Sequence, residues 1–172
     1  MSSVDSITSR LGGIKITTPI DSFFASYPSF PYDPLRPAAA EFQRLRKHQK
    51  WAGNSKEAND ARQRFHVAFE AEFNSTFGEV TDWRRLCDVL GVVPVPDSLT
   101  KAKKALAPIN VNIFDLLQHE RAVQRGEKVQ LMKFPDVRAL AKYSKKHKKI
   151  YPKARAKQQG AVRFMLRGLF SV

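Results

Sequence analysis

Hydrophobic positions in this chain recur mostly at 3- and 4-residue spacing, and that periodicity predicts a mainly α-helical protein. The longest run starts at about Ser55 and sets Ala58, Ala61, Phe65, Ala68, Phe69, Phe73 and Thr76 on one stripe, closed by Gly78. The opposite face carries Glu57, Asp60, Arg62, Arg64 and Glu70. Upstream, Pro37 fits the first turn of a helix running through Phe42 and Leu45 to about Trp51, where Gly53-Asn54 breaks it. Downstream, Thr81 caps a short helix with Trp83, Leu86, Cys87 and Leu90 inward, ended by Gly91. A rigid connector, VVPVP, follows. Ser98 then starts a helix carrying Leu99, Ala102 and Leu106. Asn112 caps another over residues 113–125, with Phe114, Leu117 and Val123 inward and Gly126 at its exit.

Behind Pro135, Asp136 reads as the N-cap or a first-turn acid of a helix whose inner face holds Val137, Leu140, Ala141 and Ser144. Pro152 opens a last helix with Ala154, Ala161, Val162, Met165 and Leu169 inward. Only KVQLMKF, residues 128–134, has a strand pattern, and its one partner is GIKIT, residues 13–17. The expected fold is a compact single-domain multi-helix bundle with at most a short two-stranded ribbon. Residues 1–10 read as a flexible N-terminal tail and 11–172 as one helical domain. That domain divides into an aromatic/proline strap (19–37), a helical core (38–126) and a basic helix pair (133–170).

The strap places Phe23, Phe24, Tyr27, Phe30 and Tyr32 among Pro28, Pro31, Pro34 and Pro37. Proline at this density argues against regular helix, while the rings need burial, so the segment reads as an extended strap over the helices. A docking site for a protein that recognises proline-rich segments is the alternative.

Composition changes the picture at one end only. Hydrophobic content of 42% and charged content of 27% are ordinary for a globular protein, and a lone Cys87 excludes an internal disulfide. No apolar stretch is long enough to cross a membrane, and the N-terminus lacks the pattern of a secretory signal. An intracellular protein of the nucleus or cytoplasm is expected. The net charge, however, is +14, and residues 133–167 carry twelve Lys/Arg against one acid, Asp136. That segment therefore holds +11 of the total.

Single-sign charge at this density calls for a polyanionic partner. Arg138, Lys142, Lys145 and Lys149 fall at 4-, 3- and 4-residue steps, with Lys146 and Lys148 beside them. Lys153, Lys157, Arg163 and Arg167 line the outer side of the last helix. The candidate phosphate contacts are thus Arg138, Lys142, Lys145, Lys146, Lys149, Lys153, Lys157, Arg163 and Arg167, for DNA or RNA without base-specific readout. Neutralising about five phosphates predicts a log–log salt slope near −4.5 on duplex DNA. An acidic protein docking on the same cations, or a partner at the strap, is the alternative. A solvated lysine face that aids solubility is the bland reading, set against the scarcity of interspersed acids. Tyr143 and Tyr151 are candidates for base stacking or for helix packing, and KKHKK, residues 145–149, also fits an import signal.

Catalytic chemistry finds no foothold. His48, His66, His119 and His147 are far apart and form no zinc-ligand spacing. Asp115 and His119, four apart on one helix, read as a surface contact, and Glu70 and Glu72 point to different faces. Cys87 sits on an apolar stripe as a small hydrophobe. The glycines match no phosphate loop or dinucleotide fingerprint. A non-enzymatic protein without metal or cofactor is expected, its oligomeric state open.

One further pattern is F-x-x-Y-P-x-F-P-Y-D-P (24–34), E-F-x-R-L (41–45), Trp51, FEAEFNSTFG (69–78), W-x-x-L-C (83–87) and V-N-I-F-D-L (111–116). Together these resemble a group of small uncharacterised proteins of filamentous fungi. The resemblance spans roughly residues 23–117 and rests on aromatic and helix-packing positions. It implies a shared fold and an intracellular fungal protein, and carries no activity or site residue.

Overall fold

The computed structural model describes residues 17–78, 83–152 and 165. These residues form seven helices: α1 (Pro19–Ala25), α2 (Ala38–His48), α3 (Lys56–Phe77), α4 (Trp83–Val89), α5 (Leu99–Leu106), α6 (Ile113–Gln124) and α7 (Val137–Lys146). Among them β structure is limited to one antiparallel bridge between Asn110 and Phe134, so residues 128–134 do not form the expected strand. The tail, most of GIKIT, Thr81 and all of the last helix except Met165 lie outside the described residues. Met165 is helical and packs half-buried against the core, as its place on the apolar stripe predicts.

Four helices begin at the residues read from the chain as starts or caps. Ser55, Ser98, Asn112 and Asp136 each adopt extended backbone and accept a first-turn N–H through their side chains. Helix α3 forms the spine. Phe65, Phe69, Phe73 and Phe77 lie four apart on it, all essentially buried. Phe65 stacks on Phe42 of α2 at 4.7 Å between ring centres, and Phe69 meets Phe114 of α6 at 4.4 Å. Burying rings of this size supplies much of the driving force for packing. Phe77, not Thr76, occupies the last core position. Thr76 is only half-buried and its hydroxyl donates to the Glu72 carbonyl at 2.8 Å. Gly78 then leaves the helix at φ 75°, a conformation that disfavours side chains with a Cβ.

The segment read as an extended strap begins as a helix. Pro19 stands in the first turn of α1, where a missing N–H costs nothing, and the Thr18 hydroxyl accepts the Asp21 N–H at 3.2 Å. Only the chain from Ser26 to Pro37 is irregular. Its rings pack as expected: Phe24 stacks on Tyr32 at 4.3 Å, Phe23 meets Phe65 at 5.5 Å, and Phe30 is buried. One departure concerns α6. Its inner stripe ends through Glu120, Arg121 and Ala122, which leaves Val123 44% exposed at the last turn.

Glu72 and Arg121 join three elements through buried charge. Arg121 Nη2 donates to Asp21 Oδ1 at 2.6 Å, its Nε lies 3.2 Å from Glu72 Oε1, and Glu72 Oε2 accepts the Ile20 N–H at 3.0 Å. The Tyr32 hydroxyl donates to Asp21 Oδ1 at 2.6 Å. Burial pushes the Asp21 carboxyl upward, but Tyr32, Arg121 and Thr18 outweigh it and hold the group below its ordinary value. Burial and the Asp21 carboxylate both raise the Tyr32 hydroxyl well above the usual range.

Candidate polyanion-binding site

Helix α7 owes its place to Asn112. The Asn112 side chain accepts the Phe114 N–H at 3.0 Å as the cap of α6, and its amide nitrogen donates to Ser144 Oγ at 2.9 Å and to the Lys149 carbonyl at 3.0 Å. The same buried residue thus starts one helix and fastens another. Leu140 and Ser144 form the buried side of α7. Arg138, Lys142, Lys145 and Lys146 occupy the exposed side, at the spacing that places them along one face. No described carboxylate lies within ion-pairing distance of these four or of Lys148.

Lys149 does not belong with them. The helix ends at Lys146, and Lys148 takes a left-handed conformation (φ 55°) that reverses the chain. Lys149 therefore turns inward, its Nζ 2.5 Å from Asp115 Oδ1 and 2.8 Å from the Tyr143 hydroxyl. Burial works against its charge, yet Asp115 and Tyr143 hold the ammonium above its ordinary value. The fourth member of the predicted stripe is a structural ion pair. It also takes the carboxylate expected to meet His119, whose ring instead lies 3.2 Å from Glu120 Oε1. Lys133 is likewise engaged, donating to the Leu90 carbonyl at 2.7 Å. Lys153, Lys157, Arg163 and Arg167 lie outside the described residues.

The tyrosines pack. Tyr143 lies against Phe134 at 4.8 Å and His147 at 4.4 Å, and burial raises its hydroxyl above the ordinary value. Tyr151 is buried beside His66 and Phe69, and its hydroxyl donates to Glu70 Oε2 at 3.2 Å. Cys87 is fully buried among apolar groups, which push its thiol upward and away from thiolate chemistry.

Beside the end of α7 opens a cleft of about 360 Å³. Its apolar lining comes from Ala39 and Phe42 of α2, Phe65 of α3 and Phe114 of α6, with His66 of α3 beside them. Cations surround it: Arg46 from α2, Arg62 from α3, and Lys145 and Lys148 from α7 and its exit turn. Gln43, Ile150 and Pro152 also line it, and no described carboxylate does. The two arginines are held by a shared acceptor, the Gly53 carbonyl, at 3.3 Å from Arg46 Nη2 and 3.4 Å from Arg62 Nη2. Arg46 Nε is buried and has no hydrogen-bond partner. Among the described residues no acid neutralises either guanidinium.

Arg46 and Arg62 are the part of the site that reading along the chain missed. The signal was positional. Arg46 follows Phe42 by four residues and Arg62 precedes Phe65 by three, so both stand where a buried helix face meets its polar border. Charge counting could not find them, because both stretches mix acids with bases. Among the described residues no group of acids, histidines and cysteines is arranged to hold a metal ion, and no helix is long and apolar enough to cross a membrane. No protein-family model, curated protein or solved structure matches this chain, and nothing in those comparisons bears on the fungal resemblance.

Proposed function

We propose that this is a non-enzymatic nucleic-acid-binding protein that grips the phosphate backbone through α7 and the cations beside its C-terminal turn. The observation that supports this reading is the separation of cations into two kinds. Lys149 and Arg121 are turned inward onto carboxylates, while Arg138, Lys142, Lys145, Lys146 and Lys148 stand in solvent with no described carboxylate in ion-pairing distance. An unpaired row attracts the repeated charge of a phosphate backbone, and release of condensed counterions supplies the binding free energy. Phosphate contacts of this kind fix position and carry no sequence preference.

The test is fluorescence anisotropy of labelled single-stranded and duplex DNA and RNA, titrated with the full chain at low salt. Binding that weakens steeply with salt is expected, with a log–log slope near −2.8 on single strands if about four phosphates are neutralised. Absence of association with every nucleic acid at low salt contradicts the reading. In that event, a protein partner retained after nuclease treatment and lost on Lys142→Glu/Lys145→Glu points to an acidic protein on the same surface.

A further inference from the structure

We infer that the cleft between α2, α3 and the exit of α7 receives an unpaired base of a single-stranded nucleic acid while its surrounding cations hold the adjoining phosphates. This inference rests on the reading just proposed and adds a preference for single strands. Its volume, about 360 Å³, falls in the range of sites that enclose organic ligands. The interior is lined by the small exposed parts of Phe42, Phe65 and Phe114 together with Ala39 and Ile150, so its occupant needs an apolar body. The lining includes Arg46, Arg62, Lys145 and Lys148 and, among the described residues, no acid, so the occupant also needs negative charge close to that body. A nucleotide unit of an open strand combines both properties, whereas in a duplex the base is stacked and paired away from any such cleft.

Two details of the cleft point the same way. Arg46 Nε is a buried donor without an acceptor, and an unmade bond of this kind is costly until a ligand supplies the oxygen. Lys148 holds a left-handed backbone, a conformation for which glycine is the usual residue at a helix exit, and its side chain lines the mouth.

The decisive experiment compares three labelled ligands on the full chain by anisotropy: a single-stranded oligodeoxythymidylate, an abasic strand of equal length, and a duplex. The abasic strand keeps every phosphate and loses every base. The base-bearing strand is expected to bind about tenfold more tightly than the abasic one, as for a base held against protein aromatic groups. Ile150→Ala, at the exposed edge of the cleft, should remove most of that advantage, while Val67→Ala, exposed on α3 outside the cleft, should leave it intact. Neither substitution touches the buried core, so both chains should fold. Equal affinity for base-bearing and abasic strands overturns the inference while leaving phosphate binding in place. An advantage that Ile150→Ala does not reduce overturns the assignment to this cleft. Failure of all three ligands, and of single-stranded and duplex RNA alongside them, to bind overturns the proposed function as well.

Discussion

Arg121 and Arg46 show how differently two regions of one molecule treat the same side chain. At the junction of α1, α3 and α6, Arg121 meets two carboxylates and a tyrosine hydroxyl, though its Nη1 stays unpaired. At the cleft, Arg46 meets, among the described residues, only Gln43 and a backbone carbonyl. The first guanidinium is neutralised within the fold and serves to hold elements together. The second brings charge to a hollow with nothing inside the described structure to answer it. Satisfied charge reads as architecture, and unanswered charge beside an apolar cleft reads as capacity to bind.

The comparison can be broken most forcefully by truncation. Arg121→Ala strands Glu72 in the interior and leaves part-buried Asp21 without its cation, and should cost about 3 kcal/mol, measured by denaturant unfolding. Arg46→Ala should cost about 1 kcal/mol or less, yet weaken binding to single-stranded DNA severalfold. Similar stability losses for the two variants would erase the distinction.

A second cut falls between the regions. Asn112→Ala removes a helix cap and both bonds that fasten α7 and its exit, and should cost about 2 kcal/mol of stability. Hydrogen exchange should show that loss concentrated in α7.

Lys50 and Lys148 sharpen the contrast further, because both hold positive φ just beyond a helix end, and only Lys148 lines the cleft. Glycine at either position relieves the left-handed strain and should raise stability by up to about 1 kcal/mol in thermal or denaturant unfolding. Only Lys148→Gly should weaken nucleic-acid binding. Equal effects of the two on affinity would remove Lys148 from the site.

The smallest expected effect is on pH dependence. The folded state holds the Asp21 carboxyl below its ordinary value of 3.8, so its stabilising contribution is complete above that value. It disappears as pH falls through the lower folded-state value. Unfolding curves collected from neutral pH downward should therefore show an acid-side loss that is shallower in Asp21→Asn.

Local signals on the chain carried most of the helical framework. Ser55, Ser98, Asn112 and Asp136 act within three residues of themselves, and the phenylalanines of α3 repeat on a single period, so both are legible without tertiary structure. Proline density misled at residues 19–25 because Pro19 stands at the one helical position that needs no N–H. The stripe through Lys149 failed for a related reason: helical spacing predicts a shared face only while the helix lasts, and α7 ends at Lys146. The Asp21–Arg121 bond spans 100 positions, and the cleft draws on four separate helices, so no pattern along the chain announces either. Of the predicted site, Arg138, Lys142, Lys145 and Lys146 stand exposed on one helix face, Lys149 is withdrawn, and Arg46 and Arg62 enter from elsewhere.

Residue-resolved lysine acetylation, read by mass spectrometry with and without a saturating single-stranded oligonucleotide, tests the account most directly. Protection confined to Lys142, Lys145, Lys146 and Lys148 among the described lysines is the predicted result, with Lys101 of α5, paired to Asp97 ahead of that helix, as reactive as before. Protection spread evenly over the chain, or centred on Lys101 while the α7 lysines stay reactive, would contradict it.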